Sequence, residues 1–233
     1  MIFRGLLGVV LLCTGILTPG MTQNDFGLWT AINGRVSVTK NIKIGAQIQV
    51  RLEENVSTRS ETFFSPYVSY QVSKHLQFGL DYRSTNNWDE GTVSKNKHRV
   101  TIDCRLEKIL DLVDNKSRFK ISSRLRFVQE TQKGDLNDQY ARGRLKLSYN
   151  LPKTKIEPHV AVEVFYHFND QLAYTITGVS ARHRISKYRV RMGFGIPLSK
   201  QHQIKCFYLI QQQVHGSKTD FIAGVSYRFS WKI

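Results

Sequence analysis

In the stretch Ile42-Lys43-Ile44-Gly45-Ala46-Gln47-Ile48-Gln49-Val50-Arg51-Leu52, every second residue is apolar and every residue between is polar or glycine. Successive side chains of a β-strand point to opposite faces. The segment therefore reads as a strand with one greasy face and one polar face. Its length matters as much as its period. Strands in soluble proteins average about 5–6 residues, whereas a strand that crosses a bilayer at a tilt needs about 9–11.

The same period returns along the chain. Leu76, Phe78, Leu80 and Tyr82 alternate with Gln77, Gly79, Asp81 and Arg83. Val100, Ile102, Cys104 and Leu106 alternate with Thr101, Asp103, Arg105 and Glu107. Phe119, Ile121, Leu125 and Phe127 alternate with Lys120, Ser122, Arg124 and Arg126. Comparable segments end at Tyr149, Tyr166 and Phe194, and the last one carries Phe221, Ala223, Val225, Tyr227, Phe229 and Trp231 on one face. Short polar turns are read at Lys40-Asn41, Ser73-Lys74, Pro152-Lys153 and Ser199-Lys200, and longer polar loops over 55–60, 84–96, 130–138 and 215–219. Outer-membrane barrels alternate short periplasmic turns with longer loops on the other side. The count comes to about eleven strands, although bacterial single-chain barrels usually carry an even number. The expectation is an all-β chain, a transmembrane antiparallel β-barrel of ten to twelve strands. Residues 26–38 and 169–186 are where a strand is most easily gained or lost in the count.

Composition agrees with this class. Of 233 residues, 41% are hydrophobic and 5 are proline, which excludes a bundle of apolar helices and suits alternating strands. A soluble periplasmic binding barrel would show the same period with its apolar face turned inward. Strand length argues for lipid outside, and so do Tyr82, Phe127, Tyr149, Tyr166, Tyr188 and Trp231 near the ends of apolar faces, because Tyr and Trp rings favour the headgroup level. Residues 1–22 read as a signal peptide, with Arg4, an apolar run from Gly5 to Leu17, and a Thr18-Pro19-Gly20 exit. Residues 23–233 then form one barrel domain. The expected location is the outer membrane of a Gram-negative cell after export. Membrane lipid and the barrel-assembly machinery are the expected partners, since Tyr227 to Ile233 resembles the aromatic C-terminal signal which that machinery reads. Cys104 and Cys206 fall on apolar faces and read as small hydrophobes.

The mature chain resembles a family of Gram-negative outer-membrane proteins known as domain of unknown function twenty-four-ninety. The resemblance lies in residues 23–30, 142–150 and 198–202, and in Gly224-Val225-Ser226-Tyr227-Arg228-Phe229. Residues 169–186 look longer here than in that pattern. The resemblance implies the barrel fold and its location, and brings no activity and no catalytic motif.

The formal net charge is +16, from 34 Lys and Arg against 18 Asp and Glu. The basic residues recur on polar faces at a spacing of two. Candidates for a basic lumen lining are Arg99, Arg105, Arg124, Arg126, Arg142, Arg144, Lys146, Arg189 and Arg191, and Asp103, Glu107, Glu157 and Glu163 are the acids among them. One reading is a network of ion pairs filling a narrow lumen. The other is an anion-attracting pocket or passage, because rings of Arg and Lys select anions in pores. A small anionic solute is then the expected further partner. An outer-membrane lipid-modifying hydrolase is the alternative, but no spacing marks a nucleophile, base and orienter, so no catalytic residue is assigned. No metal or cofactor motif is present. Nucleic acid is disfavoured, because basics at period two form a strand face rather than a groove-reading helix.

Overall fold

Each alternating segment is a strand in the computed structural model, which describes residues 25–89, 92–109, 118–132, 137–168, 184–214 and 218–233. The signal-peptide reading at 1–22 and most of the stretch 169–186 lie outside the described residues. The strands are β1 (Asp25–Ser37), β2 (Ile42–Glu53), β3 (Thr58–Gln71), β4 (Leu76–Asp89), β5 (Thr92–Leu106), β6 (Phe119–Gln132), β7 (Asp138–Tyr149), β8 (Glu157–His167), β9 (Arg184–Pro197), β10 (His202–Gln213) and β11 (Thr219–Lys232).

Each strand pairs with its two chain neighbours, and the ring closes between β1 and β11. The expected antiparallel pairing holds around the wall, except at this closing pair, which is parallel from Asp25↔Asp220 to Ser37↔Lys232. The odd strand count forces that exception. Each hairpin reverses direction, so the eleventh strand runs the same way as the first. The two ends of the barrel chain therefore sit at opposite rims, Asp25 at one and Lys232 at the other.

Side-chain direction inverts the usual burial. Ile32 is 63% exposed, Leu145 58% and Ile102 57%, whereas Ser65, Thr101 and Glu163 are each 1% exposed. Every strand carries at least one large hydrophobic residue on the exposed outer face, including Phe64, Leu80, Leu125, Val162 and Val225. Cys104 and Cys206 are free thiols at outward-facing strand positions. The alternative of an apolar centre with a polar exterior is set aside by these directions.

The two rims differ in construction. At one, Val38–Asn41, Val72–His75 and Leu198–Gln201 form the same four-residue turn. The second residue of each turn is Thr39, Ser73 or Ser199, and its hydroxyl accepts hydrogen bonds from backbone N–H groups two and three residues on, at 2.9–3.2 Å. Hydroxyl side chains stabilise turns in this way. At the other rim, strands continue through segments whose polar composition reads as loops. Ser84 to Asp89 pair with Thr92 to His98, as in Ser84↔His98 and Asn86↔Asn96, and β3 begins at Thr58. Backbone hydrogen bonds sustain a ladder there without an apolar face to reveal it. All three register shifts, at Arg51/Leu52, Asn87/Trp88 and Phe165/Tyr166, lie toward this second rim, as bulges at barrel rims commonly do.

Close approach fixes one glycine. A Cβ on Gly45 would lie 2.4 Å from the backbone oxygen of Gly34 and 2.5 Å from Tyr67 Oη. Its absence lets Tyr67 lie across the inner wall and donate to Asn33 Oδ1 at 3.2 Å. We expect Gly45→Ala to destabilise the folded barrel by about 1–3 kcal/mol, the usual cost of overpacking, read as a lower urea midpoint of refolded protein.

Candidate functional site

Period two places a cation on the inner face at most strand levels, so like charges meet across the ladder. Arg124 lies opposite Arg144, Arg126 opposite Arg142, and Arg105 opposite Arg124. Like charges directly opposite are destabilising. Two carboxylates relieve this cluster. Glu163 accepts from Arg142, lies 3.4 Å from Arg124 and 3.7 Å from Arg144. Asp103 takes both forks of Arg126, at 2.6 and 2.8 Å, and Arg105 at 2.8 Å. Charge-assisted forks of this kind are among the stronger hydrogen bonds. Other acids serve the rims: Glu61 pairs with Arg51, Glu130 with Arg99 and Lys97, and Glu157 with Lys120 and Lys146.

Aromatic rings are a second device that holds guanidinium groups here. Phe63, Trp29 and Phe165 point into the barrel and are nearly inaccessible. Arg51 lies over Trp29 at 4.1 Å and over Phe63 at 5.3 Å, and Arg83 covers Phe63 at 3.7 Å. Arg189 lies within 5.5 Å of Trp29 and 4.7 Å of Phe165, and Arg142 is 4.7 Å from Phe165. Trp29, Leu209 and Ile222 form one apolar cluster and Val128, Tyr140 and Phe165 another. Together these side chains make an aromatic–guanidinium layer across the lumen. Cation–π contacts of desolvated pairs contribute about 2 kcal/mol or more.

On the short-turn side of this layer lies a cavity of about 520 Å³. Fourteen Lys and Arg line it against three acids, Asp81, Asp103 and Glu107. Of the residues singled out in the sequence, Arg105, Arg124, Arg126, Arg142, Arg144, Lys146, Arg189, Arg191, Asp103 and Glu107 line this cavity. Arg99, Glu157 and Glu163 do not. Arg99 is held by Glu130 toward the other rim, Glu163 is buried behind its arginines, and Glu157 pairs with lysines near the short-turn rim. Sequence reasoning passed over Arg35, Lys43, Arg51, Arg83, Lys205 and Arg228, which also line it. The same alternation in β1, β2, β4, β10 and β11 carries the signal for all six.

Among the described residues, no three or more His, Cys, Asp or Glu converge as metal ligands. The imidazoles of His98 and His202 bond tyrosine hydroxyls, that of His167 bonds Asp138, and that of His75 lies against the Glu107 carbonyl. His183 lies outside the described residues. No helix among the described residues is long and apolar enough to cross a membrane, which says nothing of strands.

A family model described as "Protein of unknown function (DUF2490)" matches residues 26–221, from the first strand into the last. The chain belongs to that family. No curated protein matches it. Among solved structures it is similar to an anion-selective porin from Comamonas acidovorans, with 12% identity and a TM-score of 0.36, over 80% of this chain. The chain spans about half the length of that porin, 52%.

The crowding of arginines around one carboxylate makes Glu163 a sensitive position. Replacing it with Gln leaves three guanidinium groups without their common counter-charge. We expect Glu163→Gln to lower the stability of the refolded barrel by about 3–5 kcal/mol, as removal of one partner from a buried ion pair does. Glu157→Gln, at a half-exposed site, should shift the same urea transition far less.

Proposed function

We propose that this protein is a Gram-negative outer-membrane β-barrel whose lumen holds small anionic solutes. The observation that carries the reading is the lining of the cavity, fourteen cations against three carboxylates. A cavity of about 520 Å³ falls within the range of small-molecule pockets. The low dielectric of a protein wall strengthens the attraction of such a lining for an anion.

Membrane residence is supported by the apolar outer face. A contiguous greasy band on every strand far exceeds the patch a soluble monomer leaves in water, and closure leaves no strand edge unpaired in hydrocarbon. Membrane lipid and the barrel-assembly machinery are then its partners during insertion. The aromatic–guanidinium layer favours retention of a solute over free passage, since passage requires Phe63, Trp29 and Phe165 to move aside.

Two measurements test this reading. Trp29 lines the cavity, so a Trp88→Phe, Trp231→Phe variant isolates its fluorescence. Iodide should quench it more strongly than caesium, and equal or stronger quenching by caesium would overturn the anionic reading. The detergent-refolded barrel should migrate differently on gels before and after boiling. A chain that stays folded and monodisperse without detergent would overturn membrane residence.

A further inference from the structure

The charge inside the lumen is unevenly compensated. On the wall built by β5 to β8, Asp103 and Glu163 are shared as ion-pair partners by five arginines. On the wall built by β9, β10, β11, β1 and β2, seven cations line the cavity: Arg51 and Arg189 lie against the aromatic layer, and Arg191, Lys205, Arg228, Arg35 and Lys43 lie nearer the short turns. Those strands carry acids only at their far-rim ends, Asp25, Glu53 and Asp220. We infer that this carboxylate-free wall binds a polyvalent oxyanion, a small solute bearing linked phosphate groups, that enters from the short-turn rim. The inference rests on the anionic-lumen reading and gives it a place, a ligand class and a direction.

The register brings the cations together. Lys205 pairs with Ser226, two residues from Arg228. Arg228 pairs with Asn33, two residues from Arg35, and Arg35 pairs with Gly45, two residues from Lys43. Each step is a diagonal neighbour at about 7–8 Å, within the reach of Arg and Lys side chains. One multiply charged group is therefore met by several cations at once. None of these five forms an ion pair among the described residues: Arg35 donates to Ser230 Oγ at 3.1 Å, and Arg191 lies over the Phe207 ring at 4.2 Å. Phe207 itself is folded flat against the wall, because a Cβ on Gly224 would fall 2.1 Å from its ring. That leaves open space in front of the cations.

The choice of ligand follows from the donors. Guanidinium forks match the oxygens of phosphate two at a time, and five neighbouring cations with no carboxylate within ion-pair distance suit a ligand of dense negative charge. The mouth fits the same ligand. Lys40, Lys74 and Lys200 occupy the third place of the three equivalent turns and are exposed at the short-turn rim, where Lys153 and Lys155 join them. The opposite mouth mixes Glu53, Glu61, Glu130, Asp138 and Asp220 with Arg59, Lys97, Lys187 and Lys218. The exposed lysines of the short-turn rim attract anions to that entrance.

Isothermal titration of the refolded full chain in detergent, with pyrophosphate, citrate and chloride as separate ligands, tests the proposal. Pyrophosphate should bind more tightly than citrate, and both more tightly than chloride. Arg228→Gln and Lys205→Gln should each weaken pyrophosphate binding by about tenfold or more, the usual effect of removing a charge-assisted contact. Lys97→Gln, which removes the same charge at the far mouth, should leave it unchanged. Heat-modifiable migration identifies the folded variants. Wild-type affinity in folded Arg228→Gln and Lys205→Gln would overturn the assigned wall while the anionic lumen stands, and tighter binding of citrate would overturn the phosphate class. Absence of any anion binding, together with stronger quenching of Trp29 by caesium, would remove the parent reading as well.

Discussion

Closure of the hydrogen-bonded wall is the constraint on which the other features depend. β1 and β11 pair along their full length, which leaves no strand edge open, as the hydrocarbon surroundings proposed above would require. With an odd number of strands they meet in parallel. Parallel pairing is slightly less favourable per residue than antiparallel, yet the seam runs through thirteen aligned residue pairs from Asp25 to Ser37. The same geometry separates the two chain ends between the rims.

With the ring closed and the apolar faces outward, period two turns the polar faces inside. The lumen then has to hold a surplus of arginine and lysine at close quarters. Two solutions are visible side by side. Carboxylates act as shared hubs on one wall, where Asp103 and Glu163 each serve more than one guanidinium. Aromatic rings take the next share, with Phe63, Trp29, Phe165 and Phe207 each lying under an arginine. Trp29 and Phe207 also pack edge to face, their centroids 6.5 Å apart. The remaining cations, on β9 through β2, have neither solution available.

Much of this was legible in the residues. The eleven-residue alternation from Ile42 to Leu52, repeated in later segments, identifies long half-apolar strands, and their length points to a barrel with its greasy side outward. The alternation also places Arg105, Arg124, Arg126, Arg142 and Arg144 on one inner face. It failed where its premise failed. Between Ser84 and Asn96 both faces are polar, so paired strand ends read as a loop. Ala161, Phe165 and Ile222 break the pattern the other way, as small or apolar side chains turned inward, and they belong to the packed layer or its surroundings.

The sequence by itself determined which side chains share a face, because that follows from local backbone geometry and a period of two. It determined the strand lengths and the excess of positive charge for the same local reason. Only the tertiary structure decided which strands are neighbours across the seam and in what register. On that depends whether an arginine meets a carboxylate, an aromatic ring or another cation. Those pairings join residues as far apart in the chain as Arg35 and Ser230, and no local pattern encodes a contact made by closing a ring.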